Sequence, residues 1–590
     1  MNFVKVSFWR IFWPTFIASL ILSALGWVFW IVVFAGITAE EPETATSSVL
    51  HLKLNGVIAD RSDATFDGMS FEIANKIGLA DLLVGFETAK NDPDVKGIYL
   101  DLGAIDCGYA TAFEIRKAIK DFRTSGKFVT AYLSGEVISQ KQYLISSAAS
   151  EIYGFPSAAM EFVGLGAELM FYKNTFDKLG LEMQVIRGAN NDFKSAVEPY
   201  FLDKMSDSSR FQMQQYISST WNEYCQTVAQ DRGVSVNVLN AIANDLKVQR
   251  LSDAYKFRLI DGVCYQDEVE DKIMRKAQLA DNTELLAFEK YAKNTFEMDQ
   301  LGISYDADKI AVINAEGAIM VDGDEIASRK IIELFREVRK DKSIKGVVFR
   351  VNSPGGSALA SEEIWREVAL TARQKMLVVS MGDVAASGGY YIATPAEVIF
   401  AEPTTITGSI GVFGVIPYTG NLLEKNIGLT FDRVQTHNHS VLSLNRKLTA
   451  DELAVIQGEV NATYDLFKTR VANGRKLSPE AVNRIARGRV WTGAAAVKVG
   501  LVDRLGGLTD AINYVTAKLS MKNAIVQYWP KVSIDPIQEL LAKISEETTT
   551  TVKLKSLSMP KVLDETLQEL AHLEQWTGIQ MRLPYTLKIN

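Results

Sequence analysis

The chain has 590 residues and a mass of 65.3 kDa. At roughly 100–200 residues per domain this predicts several folding units and excludes a single small domain. Hydrophobic residues make up 47% and charged residues 23%, a globular balance that excludes disorder. The net charge of -8, from 63 basic and 71 acidic residues, lacks the positive field a nucleic-acid binder turns on phosphate.

The amino terminus predicts a membrane anchor. No charge falls between Arg10 and Glu40, and Ile11 to Ile37 alone would span roughly 40 Å as a helix, enough to cross a bilayer with tilt. A cleaved signal peptide would have a shorter apolar core, whereas this run continues past Ala24-Leu25-Gly26. Residues 11–38 are therefore expected to be an uncleaved signal anchor. Lys5 and Arg10 precede it and Glu40, Glu41 and Glu43 follow, which puts residues 1–10 in the cytoplasm. In a cell with two membranes the rest would lie in the periplasm, held by one span to the inner membrane.

Beyond the anchor the sequence repeats itself. Val49 to Ile58 reads like Ile310 to Ile319, each an apolar strand running into a glycine. Val95 to Leu102 pairs with Ile344 to Val351, and Pro156 to Gly164 pairs with Pro403 to Gly411. Short β-branched runs alternate with helical stretches such as Thr111–Thr124 and Ser361–Gln374, the βαβ pattern of a mostly parallel sheet. The expected organisation is a first α/β half over 47–276, a polar connector over 277–308, a second half over 309–520, and a tail or arm over 521–590.

Cys107, Cys225 and Cys264 are widely spaced and form neither a disulfide framework nor a zinc pattern. The chemistry-bearing motifs lie in the second half. A strand ending at Val351 leads into Asn352-Ser353-Pro354-Gly355-Gly356-Ser357, read as a sharp turn, and a helix begins near Ala360. A second apolar strand, Met376–Ser380, leads through Met381-Gly382-Asp383 to Ser387-Gly388-Gly389. Ser387 then sits at a strand-to-helix junction with small neighbours, exposed as a nucleophile would need, where the helix amino terminus favours developing negative charge. The amides of Gly356 and Gly388 are the candidate oxyanion donors. The motif is not the G-x-S-x-G elbow, and no Asp-to-His order follows it. Only four histidines exist, of which His437 and His439 could supply a base or two metal ligands, or simply be solvated.

These residues resemble the signal peptide peptidase A (protease IV) family in its long membrane-anchored form, over nearly the whole chain. The family's base is a lysine in a K-S-A-V-E-P segment, matched by Lys194-Ser195-Ala196-Val197-Glu198-Pro199 in the first half. A second serine that positions this lysine matches Ser409 in Thr407-Gly408-Ser409-Ile410-Gly411. The resemblance implies a Ser387–Lys194 dyad working through an acyl-enzyme, with no cofactor or metal. Burial would have to lower the lysine's pKa, with Phe193 and Val197 as apolar neighbours. It further implies tandem crotonase- and Clp-protease-like βαβ units, one site at the junction of the halves, cleaved signal peptides and other unfolded hydrophobic chains as substrates, and a homotetramer. Met381, Val412 and Phe413 are candidates to line the specificity pocket. Two rivals make different demands. A crotonase-like acyl-CoA enzyme would need no serine nucleophile, and a non-catalytic tethered scaffold would leave Lys194 exposed and far from Ser387.

Overall fold

A computed structural model describes residues 48–61, 65–66, 73–74, 77–280, 283–293, 308–522, 524–530 and 579–583. The expected anchor at 11–38 lies outside the described residues. Among those described, no helix is long and apolar enough to cross a membrane.

The first half is built on strands β1 (Ser48–Val57), β2 (Val95–Asp106), β3 (Phe128–Leu133), β4 (Glu151–Gly154), β6 (Gly262–Val263) and β7 (Leu286–Ala287). They form one sheet in the order β6-β4-β3-β2-β1-β7. β3 lies parallel to both β2 and β4, and the outer pairs are parallel too. β7 falls within the stretch read as a connector and extends the sheet of the first half. Between the strands run α1 (Leu79–Asn91) and α2 (Tyr109–Arg123). Strand β5 (Glu182–Arg187) and the long helix α3 (Asp207–Arg232) follow β4 in the chain and serve the site described below.

The second half repeats the plan with β8 (Lys309–Glu316), α4 (Ser328–Lys340), β11 (Ile344–Ser353), α5 (Ala358–Ala372), β13 (Met376–Ala386) and α6 (Gly388–Ala393). Its strands are near-continuous apolar runs because a parallel sheet is covered on both faces, and Val347, Val348, Phe349 and Val351 are all fully buried. Helix α4 shows the complementary pattern, burying Ile331, Phe335 and Val338 on one stripe. The sheet runs β17 (Val490–Thr492), β15 (Ile406–Gly408), β13, β11, β8, β19 (Ile525–Trp529), with β14 (Val398–Ala401) paired to β13 and β18 (Arg504–Leu505) to β14.

A third sheet joins the halves. Its order is β10 (Ile326–Ala327), β9 (Ile319–Met320), β12 (Gly355–Ser357), β20 (Gln580–Arg582), β16 (Phe413–Tyr418), then β5 from the first half. The Pro354-Gly355-Gly356 segment is thus not only a turn. Gly355–Ser357 is a strand, because β9 on one side and β20 on the other take up its hydrogen bonds, and neither partner is near it in sequence. Ser357 then caps α5, its hydroxyl accepting from the Ala360 amide at 3.3 Å.

A buried polar cluster also ties the halves together. Arg350 on β11 donates to Asp60 at 2.7 and 3.0 Å and forms an ion pair with Glu114 of α2 at 2.7 Å. Nearby, Asp383 on β13 accepts from the Thr111 hydroxyl at 2.6 Å, the Thr111 amide at 2.9 Å and the Gly108 amide at 3.2 Å.

Candidate active site

Ser387 closes β13 and begins α6 with φ 56° and ψ -115°. A non-glycine residue with positive φ is strained and persists only where its surroundings hold it. Here the Ser387 amide donates to the Gly408 carbonyl at 2.8 Å, and its carbonyl accepts from the Tyr391 amide at 2.8 Å. Gly389 must be glycine, since a Cβ would lie 2.5 Å from the Ser353 carbonyl oxygen. The strand-to-helix junction expected from sequence is present, but the exposure is not: Ser387 is fully buried. Strand β20 packs beside it, and a Cβ on Gly388 would lie 3.0 Å from the Met581 carbonyl oxygen.

Lys194 reaches this serine from the first half. Its Nζ lies 2.8 Å from Ser387 Oγ, 3.0 Å from Ser409 Oγ and 3.0 Å from the Ser409 carbonyl oxygen. Three oxygens thus surround the amine, while the Ser387 hydroxyl itself also points to the Gly411 carbonyl at 3.5 Å. Lys194 is fully buried, and desolvation holds its pKa well below the usual 10.5. An inactive scaffold would have left this lysine in solvent, far from the serine. Ser409 also has positive φ, 50°, fixed by its amide donating to the Arg489 carbonyl at 2.7 Å.

The walls around the lysine are partly those expected. Val197 is fully buried beside it in sequence, but Phe193 faces Arg487 and Arg489 as a cation–π partner at 5.8 and 5.5 Å. Close packing comes instead from two glycines distant in sequence. A Cβ on Gly488, which has φ +75°, would lie 2.6 Å from Lys194 Cβ, and one on Gly411 would lie 3.1 Å from Lys194 Cδ. Any side chain at either position would displace the amine.

Gln212 on α3 carried no sequence signal. Its Nε2 donates to the Phe193 carbonyl at 3.0 Å and to Ser195 Oγ at 2.8 Å, while its Oε1 accepts from the Val490 amide at 3.2 Å. It thereby grips both neighbours of Lys194 and ties them to the second half. Asn191 adds a bond from Nδ2 to the Val412 carbonyl at 3.0 Å.

The two glycine motifs converge on the same spot. A Cβ on Gly355, at φ +96°, would lie 2.6 Å from the Gly388 amide nitrogen, so the β12 edge and the start of α6 are in direct contact. Gly388 directly follows Ser387, and Gly356 is the next residue along the edge that touches it. His437 and His439 stand apart: His437 bonds Thr436, and the exposed His439 pairs with Glu452 at 3.2 Å. Met381, Val412 and Phe413 are fully buried core residues. No group of three or more His, Cys, Asp or Glu among the described residues could hold a metal ion. A hydroxyl beside a buried amine whose proton is held less tightly than usual is an arrangement that can perform acyl transfer.

Comparison with known proteins agrees with that chemistry. Residues 121–280 and 369–522 match the family model described as Peptidase family S49. The chain is 33% identical to Protease 4 of Salmonella typhi over 88% of this chain and 87% of that one. It is 31% identical to Protease 4 of Haemophilus influenzae over 97% of both. The chloroplastic serine protease SPPA of Arabidopsis thaliana is 31% identical over 80% of this chain and 69% of its own. A ClpP1 chain from Listeria monocytogenes aligns with 34% of this chain and 94% of its own at 14% identity and a TM-score of 0.24.

Proposed function

Because the chain belongs to peptidase family S49 and is a serine endopeptidase of that family, we propose that Ser387 is its nucleophile and Lys194, from the other half, its general base. The observation that carries this reading is the 2.8 Å approach of a fully buried lysine to the serine hydroxyl. Lys194 takes the Ser387 proton as Oγ attacks the substrate carbonyl and returns it to the departing amide nitrogen. The Gly356 and Gly388 amides hold the oxyanion, and Ser409 orients the amine through its hydroxyl and carbonyl. A base that is neutral at working pH needs no histidine.

The substrates in this reading are unfolded hydrophobic chains, first among them signal peptides left in the membrane after preprotein processing. Residues 11–38 would tether the enzyme to the inner membrane with residues 1–10 in the cytoplasm and the catalytic part in the periplasm. The two halves would be duplicated crotonase- and Clp-like units, and the working assembly a homotetramer. Support comes from the charge-free amino-terminal run and from the strand-and-helix order shared by the two halves.

The test is hydrolysis of a fluorogenic hydrophobic peptide by the full chain, compared with Ser387→Ala and Lys194→Ala. Both variants should lose nearly all activity while staying folded. Full activity in Lys194→Ala would overturn the assignment of the base.

A further inference from the structure

Separately from the Ser387–Lys194 site, the two halves enclose a cavity of about 260 Å³. Helices α1 and α2 of the first half form one wall, and Glu402 with the start of the helix Leu508–Lys518 form the other. The volume falls below the roughly 300–1,000 Å³ of a site for a drug-sized ligand, so an occupant must be compact. Leu83, Phe86 and Ala118 give the cavity an apolar side. Its charged lining residues are five acids, Glu87, Glu114, Asp121, Glu402 and Asp510, against two bases, Lys90 and Lys117.

Most of these charges are already matched. Lys90 holds Asp121 at 2.7 Å, Lys117 is paired with Asp510, and Glu114 is paired with Arg350 at 2.7 Å. The two amides that open the helix Leu508–Lys518 are taken as well, Gly507 donating to Asp510 at 2.9 Å and Leu508 to Glu114 at 2.7 Å. The lysines and helix amides that would draw an anion are thus occupied. Two acids of the cavity have no ion-pair partner among the described residues: Glu87 at its exposed rim and Glu402 at its inner end. Glu402 is 6% exposed, and its Oε1 is buried with no hydrogen-bond partner. A buried carboxyl oxygen left in this way is a costly feature unless something enters to satisfy it. No group of three or more His, Cys, Asp or Glu among the described residues could hold a metal ion, so a bare metal would find too few ligands here.

We propose that this cavity binds a small aliphatic diamine in its doubly protonated form. One ammonium donates to the Glu402 carboxylate, the methylene stem lies along Leu83, Phe86 and Ala118, and the second ammonium meets Glu87 at the rim. The inference does not depend on the Ser387–Lys194 reading. Burial and the Glu114 and Asp510 charges, opposed by Lys117 and Arg350, push the Glu402 pKa up to about 8. Below that pH the diamine displaces a proton from Glu402, so binding tightens as pH rises toward 8. With one wall from each half, the bound diamine fastens the halves together.

Calorimetric titration of the full chain in detergent with 1,4-diaminobutane, at fixed ionic strength and with melting followed in the same samples, tests this. Wild type should bind one equivalent saturably at pH 8, melt higher when loaded, and bind more weakly at pH 6. Glu402→Gln keeps the shape and removes the charge, and should bind about tenfold more weakly or worse. Glu87→Gln should bind about two- to fivefold more weakly, as an exposed ionic contact would. Butylamine, which lacks the second ammonium, should be insensitive to Glu87→Gln. Glu87 is exposed, so its variant reads the site even if Glu402→Gln does not fold. The proposal is overturned by absence of binding to wild type, by equal affinity at pH 6 and pH 8, or by wild-type affinity in either variant. It is overturned equally if magnesium raises the melting temperature as much as the diamine, which would reduce the effect to charge screening.

Discussion

Arg350 of the second half and Asp60 of the first meet at 2.7 Å with neither side chain more than 3% exposed. Arg350 stands on the strand that leads to Gly355 and Gly356, so the ion pair holds that glycine edge against the half that supplies Lys194. Removing one partner of such a pair strands a buried charge, at a cost of about 3–5 kcal/mol. Arg350→Ala should lower the urea midpoint accordingly, and an unchanged midpoint would show that the contact carries no stability.

Glu402 lies close to this cluster, and burial followed by the nearby Glu114 charge pushes its pKa up to about 8. Between its ordinary 4.5 and that value the folded chain holds a proton that the unfolded chain has released, so stability falls as pH rises through this window. Glu402→Gln should be free of that loss. Its advantage over wild type in chemical denaturation should grow from pH 5 to pH 8, by at most about 1.4 kcal/mol per unit.

Lys194 has the opposite linkage. Its folded pKa is depressed from 10.5 by burial, so as pH falls below that value the unfolded chain binds a proton that the folded chain does not, and stability falls with it. Lys194→Met should therefore gain in stability relative to wild type as pH is lowered toward neutrality. In wild type kcat/KM should rise with pH as the amine deprotonates, and a flat profile from pH 6 to 9, with chemistry rate-limiting, would count against the lysine as base.

Gly411→Ala would set a methyl 3.1 Å from Lys194 Cδ and 2.5 Å from Asn191 Oδ1. A displacement of the amine by a few tenths of an ångström breaks its alignment with Ser387, and about a 10–100-fold fall in kcat is expected. Wild-type kcat in this variant would mean that the lysine is not tightly held.

Gln212→Leu removes the two bonds that steady the residues flanking Lys194. Each is worth about 1 kcal/mol, so melting should fall modestly. A positioning role further requires that kcat fall while KM stays near wild type. An equal loss of stability with kinetics untouched would reduce Gln212 to a structural residue.

The serine end of this site was legible in the sequence because its signals are local. Tandem glycines and small residues at a strand-to-helix junction need no distant partner to be recognised. Lys194 was legible only through family resemblance, because what buries it is the shape of segments near 411 and 488 that close around it in the folded chain. Gln212 left no trace for the same reason. The strand character of Gly355–Ser357 depends on Ile319 and Met581, one of them more than two hundred positions away. The exposure expected of Ser387 failed because its hydroxyl is enclosed by segments distant in sequence, Lys194 and Gly411 among them, which no local pattern could announce.

The proposed dyad draws its base and its nucleophile from different halves of a long chain, 193 positions apart. A fragment carrying Ser387 without Lys194 has a hydroxyl with nothing to take its proton, and the complementary fragment has an amine with nothing to activate. A proteolytic enzyme that suffers a break letting these portions drift apart therefore falls silent at once. It cannot linger as a hydrolytic remnant, so damage to the molecule switches it off instead of setting it loose.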